Sequence, residues 1–199
     1  MEIVFIRHGQ TEVNKENRIQ GAAIDAELNE VGRAYAKKAA ANFDPSVFDV
    51  VYSSPMKRAV ETAQIFTKGT QKLTLDKRLM EFNFGDWDGQ KMDEIAKKYP
   101  DILDSWGKIN RDYVKYVPNG ESYDELAQRC ISFLNEVEQK YPNKKVLVVA
   151  HGRLIRMMVA HYIADDDLDK LDTMANCALA KVKVKDGAAR TVYYNRLLA

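Results

Sequence analysis

Ile3-Val4-Phe5-Ile6 runs directly into Arg7-His8-Gly9, and Lys145-Val146-Leu147-Val148-Val149-Ala150 runs directly into His151-Gly152-Arg153. Short, nearly continuous apolar runs of this kind are the pattern of strands covered on both faces, as in a parallel sheet. A third run, Phe48-Asp49-Val50-Val51-Tyr52, leads into Ser53-Ser54-Pro55-Met56-Lys57-Arg58. Helical stretches lie between these runs. Asn29 predicts an N-cap for a helix reaching about Asn42, and Ser54-Pro55 predicts an N-cap with proline at the first helical position of a helix reaching about Lys68. Ser122-Tyr123-Asp124-Glu125 fits a capping box, with Leu126, Cys130, Phe133, Leu134 and Val137 behind it on one face at core spacing. A further helix is expected after Gly152, its apolar side supplied by Leu154, Ile155, Met158, Val159 and Tyr162. Ala178 to Lys185 and Arg190 to Asn195 flank Asp186-Gly187 and predict a strand pair. Strands alternating with helices make the expected fold an α/β three-layer sandwich, a mostly parallel central sheet flanked by helices.

Composition narrows the classes of function. The 199 residues carry 30 basic and 29 acidic side chains, a net charge of +1, which gives no broad field for nucleic acid or an anionic membrane. The longest purely apolar run, Val146 to Ala150, is far short of a membrane span. Residues 1–7 read as a strand, not as a signal peptide. Two cysteines, Cys130 and Cys177, with no CxxC spacing, suit buried thiols in a reducing cytoplasm. One domain over residues 1–199 is expected, with a small cap segment around 90–120. Neither nucleic acid nor a membrane is expected as a partner, and the chain is read as a monomer or homodimer.

Ligands of open α/β sheets bind beyond the carboxyl ends of the strands. The three strand ends bring together His8, His151, Arg7 and Arg58, and each histidine precedes a glycine that lets the backbone turn. Arg58 falls in the first turn of its helix, against the dipole, a placement that an anion would reverse. No carboxylate cluster accompanies the histidines at metal-ligand spacing, so no metal is expected. Nor is GxxxxGK[ST] present. Histidines with converging arginines suit phosphoryl chemistry, in which guanidinium forks bind phosphate oxygens and a neutral imidazole nitrogen attacks phosphorus.

The ordered set Phe5-Ile6-Arg7-His8-Gly9-Gln10-Thr11-Glu12-Val13-Asn14, Arg18-Ile19-Gln20-Gly21, Tyr52-Ser53-Ser54-Pro55-Met56-Lys57-Arg58-Ala59-Val60-Glu61-Thr62-Ala63, Glu81-Phe82-Asn83-Phe84-Gly85-Asp86-Trp87-Asp88-Gly89, Asn119-Gly120-Glu121-Ser122 and Val148-Val149-Ala150-His151-Gly152 resembles the histidine phosphatase, or phosphoglycerate mutase-like, superfamily. The resemblance implies that His8 is the nucleophile that becomes phosphohistidine. Arg7, Arg58 and His151 would form the phosphate pocket, and Asn14 matches the phosphate-loop asparagine. Glu81 matches the acid that protonates the leaving oxygen, Gln20 and Gly21 match the substrate entrance, and Gly152 would offer a backbone N–H. No cofactor is implied.

The chain departs from the family pattern in two places. Gly21 to Leu28 holds one residue more than the usual Gly-x-x-Asp-x-Pro-Leu, with Glu27 where proline is usual, and Arg153 stands where a small residue is common. Arg153 reads either as a solvated helix-start residue or as one that reaches a substrate anion. Phe82 to Gly89 resembles the phosphatase branch, and between Gly89 and Gly120 there is a single arginine, Arg111, where mutases carry a pair. Ile102 to Pro118 is the expected cap, whose Trp106, Tyr113 and Tyr116 either pack it on the sheet or face a substrate. A metal-independent phosphomonoesterase acting on small phosphorylated metabolites is therefore the leading reading. A cofactor-dependent phosphoglycerate mutase is the alternative, and a non-catalytic phospho-ligand binding module is a third.

Overall fold

The computed structural model describes all residues 1–199. Six strands, β1 (Glu2–Arg7), β2 (Val50–Ser53), β3 (Leu73–Leu75), β4 (Lys145–Ala150), β5 (Leu179–Lys185) and β6 (Ala188–Arg196), form one sheet in the order β3-β2-β4-β1-β5-β6. The first four in that order are parallel, and the terminal hairpin joins antiparallel to β1. Six helices surround it: α1 (Glu12–Lys15), α2 (Glu30–Ala41), α3 (Lys57–Phe66), α4 (Met92–Lys98), α5 (Tyr123–Lys140) and α6 (Gly152–Ile163).

Alternation along β1 and β4 decides the layers. Ile3, Phe5, Val146 and Val148 point to one face, where Leu126, Phe133 and Leu134 of α5 and Ile155 and Met158 of α6 cover them. Val4, Ile6, Leu147 and Val149 point to the other, against Ala36, Ala39 and Ala40 of α2 and Ala63 and Phe66 of α3. Burying each large apolar side chain fully contributes about 1.5–3 kcal/mol relative to leaving it in water. The pairing also sets the site. Arg7 lies opposite Ala150 and Ser53 opposite Val149, so the residues that follow, His8, Ser54 and His151, emerge side by side at one sheet edge.

Several boundaries differ from the sequence expectation for identifiable reasons. The helix after β2 begins at Lys57, not at Pro55, and Met56 is its N-cap without a side-chain bond. Ser54 does not cap it. Its Oγ accepts from Met56 N–H at 3.3 Å in a tight turn and lies 2.8 Å from His151 Nε2. Strand β2 starts at Val50, two residues later than the apolar run suggests. The short β3 and α4, with few core residues each, give little periodic signal. Asn29 and Ser122 do cap α2 and α5, the latter with the reciprocal Glu125 bond.

Residues 90–120 contain α4 and short 3-10 turns. Tyr113 is fully buried with its ring 5.6–5.8 Å from Phe82, Phe84 and Trp87, and its hydroxyl donates to the carbonyls of Asn83 and Glu121. Tyr116 stacks near Tyr99 and donates to Asp101 at 2.6 Å. Trp106 is 81% exposed. Tyr113 therefore packs the segment on the body of the protein, and Tyr116 braces it within itself.

On the other face, small residues let α2 approach the loop after β1. A Cβ at Gly32 would sit 2.1 Å from the Gln10 carbonyl oxygen, a backbone atom that cannot move without shifting the residues just after His8. Replacing an interior helical glycine by alanine ordinarily stabilises by up to about 1 kcal/mol. Gly32→Ala is instead expected to destabilise by about 1–3 kcal/mol through overpacking. Denaturant midpoints of the two proteins check this, and a stabilised variant would contradict the contact.

Candidate active site

His8 and His151 face each other with ring centroids 5.2 Å apart, both buried. His8 Nδ1 is 2.7 Å from the carbonyl oxygen of Gly9, which can only accept. We therefore assign the ring proton to Nδ1, leaving the lone pair on Nε2. The geometry around His151 fixes the opposite tautomer. Arg58 donates from Nε to His151 Nδ1 at 3.2 Å, so Nε2 carries the proton and donates to Ser54 Oγ at 2.8 Å. Arg58 is fully buried, and its other nitrogens donate to the carbonyls of Ile24 at 2.6 Å and Gly21 at 3.4 Å. Arg7 donates from Nη1 to the Met174 carbonyl, while its Nε is buried without a partner. Gly152 permits that position: a Cβ there would stand 3.2 Å from Arg7 Nε.

No carboxylate lies within ion-pair distance of Arg7 or Arg58. Burial pulls the Arg58 pKa down to about 10, so it stays charged at neutral pH, and burial lowers that of Arg7. Both histidines are held well below the usual imidazole range. Burial is the main cause for each, followed by the positive charge of Arg58, with Arg7 adding to His8. The result is two neutral imidazoles beside two guanidinium cations, an electropositive centre with one free nitrogen lone pair.

Glu81 is buried beside this centre and spans the start of α6. Its Oε1 accepts from Phe82 N–H at 2.9 Å and Leu154 N–H at 3.3 Å, and its Oε2 accepts from Arg153 N–H at 3.4 Å. A cleft of about 530 Å³ opens on its outer side, bordered by Ala22, Met80, Asn83, Asn119 and Gly120. Asn14 closes the capped turn of α1, its Oδ1 accepting from Thr11 N–H and from Asn176 Nδ2, both at 3.4 Å. Gln20 accepts from the Thr11 hydroxyl at 3.0 Å and keeps a buried Nε2 without a partner. Asn14 and Gln20 are thus held through Thr11 on the α1 side, with Asn176 linking Asn14 to the His8 carbonyl, while Trp106 and Tyr116 lie at the surface of the 90–120 segment.

Some supporting residues were given no role by the sequence reading. Thr62 accepts from Gly9 N–H at 3.0 Å and locks the His8 loop to α3. Asp88 receives the N–H groups of Gly21 and Ala23 at 2.8 and 2.9 Å. Arg129 donates to the carbonyls of Arg78, Met80 and Glu81 while paired with Glu121, so it clamps the turn that carries Glu81. Asn176 donates to the His8 carbonyl at 2.9 Å. Thr62, Asp88 and Glu121 stand within the stretches that carry the family resemblance, but no local pattern names their partners. Only the capping pattern Thr11-x-x-Asn14 was open to a sequence reading.

Arg153 is not a solvated helix-start residue. Its guanidinium lies 5.0–5.3 Å from the ring centres of Phe82, Phe84 and Tyr123, and its Nη1 donates to the Tyr123 hydroxyl. The enlarged 21–28 loop is tied to α3: Asp25 accepts from Lys57 N–H at 2.7 Å, and Ile24 holds Arg58.

Comparison with known proteins points the same way. The sequence profile of the histidine phosphatase superfamily (branch 1) matches residues 3–197. The chain is 33% identical to a 2,3-bisphosphoglycerate-dependent phosphoglycerate mutase of Cytophaga hutchinsonii over 85% of its own length and 82% of that protein. It is 32% identical to a metal-independent phosphoserine phosphatase of Arabidopsis thaliana, over 93% of this chain and 77% of the other. Its fold superposes on a mycobacterial glucosyl-3-phosphoglycerate phosphatase solved with VO3, with a TM-score of 0.83, 27% identity and 98% of both chains covered.

The depressed histidines carry a stability signature. As pH falls below the ordinary imidazole value of about 6.5, the unfolded chain binds a proton on each residue and the folded chain does not, so stability is full above that pH and declines below it. The expected slope reaches about 1.4 kcal/mol per pH unit for each of His8 and His151. Denaturant unfolding between pH 7 and 5.5 measures it. His8→Gln should flatten the decline, and an unchanged slope in that variant would contradict a neutral buried His8.

Proposed function

The chain belongs to branch 1 of the histidine phosphatase superfamily, and on that footing we propose that it is a metal-independent phosphomonoesterase that hydrolyses small phosphorylated metabolites through a phosphohistidine on His8. The observation that carries this reading is the state of His8: a buried, neutral imidazole whose Nδ1–H is fixed on Gly9 and whose Nε2 lone pair sits among two guanidinium groups lacking carboxylate partners. A phosphoryl dianion would supply their counter-charge and an acceptor for the orphaned Arg7 Nε.

In the proposed first step the His8 Nε2 lone pair forms a bond to phosphorus as the bond to the ester oxygen breaks. Arg7 and Arg58 hold the non-bridging oxygens, with the Gly152 N–H and Asn14 beside them, while Glu81 passes a proton to the departing oxygen. In the second step water attacks the phosphohistidine, Glu81 takes back a proton, and phosphate leaves with neutral His8 restored. His151 acts by holding Arg58 in place through Nδ1, since its own N–H is engaged by Ser54. Gln20 and Gly21 border the entrance, and residues 90–120 serve as the cap of one domain.

Similarity to a mutase keeps isomerisation as the second reading. Two observations favour hydrolysis. Arg111, the one arginine between Gly89 and Gly120, is exposed, lies 3.9 Å from Asp124 and rests on Tyr123, so it offers no second arginine pair over the site. The cleft beside Glu81 is bordered by exposed Pro118 and Asn119, which gives water a way to the acid. A purely binding role would not require the nucleophile and the acid together.

Phosphate release over a panel of phosphomonoesters tests the proposal. His8→Ala is expected to abolish turnover while the protein still unfolds cooperatively, and residual wild-type-like hydrolysis would remove His8 as the nucleophile. Glu81→Gln is expected to slow alkyl phosphates by about 10²–10⁴-fold and p-nitrophenyl phosphate much less, because a good leaving group needs little proton donation. Equal losses on both would exclude Glu81 as the acid. Activity is expected to persist in EDTA, and its loss there would end the metal-independent reading.

A further inference from the structure

Arg129 borders the cleft beside Glu81, a place where an arginine invites reading as a substrate ligand. Its hydrogen bonds assign it another task. Nε donates to Glu121 Oε1, Nη1 donates to the carbonyls of Arg78 and Met80, both at 2.7 Å, and Nη2 donates to the Glu81 carbonyl at 3.2 Å and to Glu121 Oε2 at 2.9 Å. A guanidinium has five N–H groups, and here all five are engaged within the chain. Arg7, with a buried Nε that has no partner, is the opposite case.

Glu121 grips the same turn from its other end. Its Oε2 accepts from Asn83 N–H at 3.1 Å, and its own N–H donates to the Asn83 carbonyl at 2.7 Å. One ion pair therefore holds residues 78, 80, 81 and 83. The Glu81 carboxylate, by contrast, is bonded only by backbone N–H groups, those of Phe82, Arg153 and Leu154. One of these belongs to the turn and two to α6, so the place of Glu81 follows from where the turn stands against α6. Arg129, on α5, fixes that relation. Its fork rests on carbonyls and its charge is met by Glu121, so it holds Glu81 without an ion pair to the carboxyl that must carry the proton.

We propose that Arg129, braced by Glu121, is a positioning residue for proton transfer to the leaving group: it sets where the Glu81 carboxyl meets the departing ester oxygen and contacts no part of the substrate. The proposal rests on the reading of Glu81 as the acid. Proton transfer requires the two oxygens to come within about 2.6–3.2 Å of each other. A misplacement of about 1 Å is enough to cost about 100-fold in rate. A loosened turn therefore impairs proton donation while His8, Arg7 and Arg58, which β1 and α3 carry, stay in place.

The test compares kcat on ethyl phosphate and on p-nitrophenyl phosphate, together with inhibition by inorganic phosphate. Arg129→Lys keeps the charge toward Glu121 but loses the fork that spans three carbonyls. It is expected to slow ethyl phosphate about 10- to 100-fold and p-nitrophenyl phosphate no more than about threefold, with phosphate inhibition unchanged. Added to Glu81→Gln it should cost little more, because no proton is then left to position. Glu121→Gln, which keeps the shape of the partner without its charge, is expected to show the same pattern, and it decides on the same criteria should Arg129→Lys fail to fold. A rate on ethyl phosphate like that of the wild type overturns the proposal. So do equal losses on the two esters, weakened phosphate inhibition, or a loss that adds in full to that of Glu81→Gln. The acid reading fails separately, by equal losses in Glu81→Gln itself. The proposal fails alone when Glu81→Gln discriminates between the esters and Arg129→Lys does not.

Discussion

Arg58 donating Nε–H to His151 Nδ1, deep in the protein and with no carboxylate at ion-pair distance, is the contact on which the surrounding architecture depends. A guanidinium removed from water must have its N–H groups accepted, or several kcal/mol are forfeited. The chain meets that demand from two separate elements: a histidine at the end of β4, and the carbonyls of Gly21 and Ile24 in the loop before α2. Arg58 itself comes from α3. One side chain therefore ties the β4 end, the entrance loop and α3 together, and its position requires the β1–β4–β2 register that brings those ends level.

The extra residue in the 21–28 loop is understandable in the same terms. Asp88 holds the N–H groups of Gly21 and Ala23, and a Cβ at Gly21 would collide with Asp88 and with the Phe82 carbonyl. The loop must then turn back to reach α3, where Asp25 receives the first N–H of the helix. Proline at position 27 is replaced by a glutamate that lies near Arg33 and Lys57 on the surface. The constraint on this loop is delivery of two carbonyls to Arg58, and a one-residue difference elsewhere in it leaves that delivery intact.

The central strands, the caps at Asn29 and Ser122 and the side-by-side histidines were legible because each depends on a local pattern: an apolar run, a side chain three residues before its N–H, a glycine after a strand. Ser54 was misread for the reason that makes it useful. The same hydroxyl that resembles a helix cap is drawn off by His151, and the helix starts later. The contacts of Thr62, Asp88, Asn176 and Arg129 were not legible because they are long-range, 53 residues for Thr62 with Gly9, 168 for Asn176 with His8 and 67 for Asp88 with Gly21, and Arg129 reaches carbonyls 48 to 51 residues away. Arg153 lay between the two cases. Its place after Gly152 was evident, but whether it met solvent or aromatic rings depended on the packing of Phe82, Phe84 and Tyr123.

The electrostatics of the centre explain why stability and chemistry draw on opposite requirements here. Two neutral histidines between two cations, with a buried Arg7 Nε lacking an acceptor, is an arrangement that folding alone would not favour. A carboxylate placed against Arg7 or Arg58 would relieve it, and would also occupy the position a phosphoryl group needs. The molecule places Glu81 across the start of α6 instead, where backbone N–H groups hold it. The core layers on both faces of the sheet supply the stability that this centre withholds. On the proposed reading, the unmet charge is what lets a small dianion be recognised with few contacts.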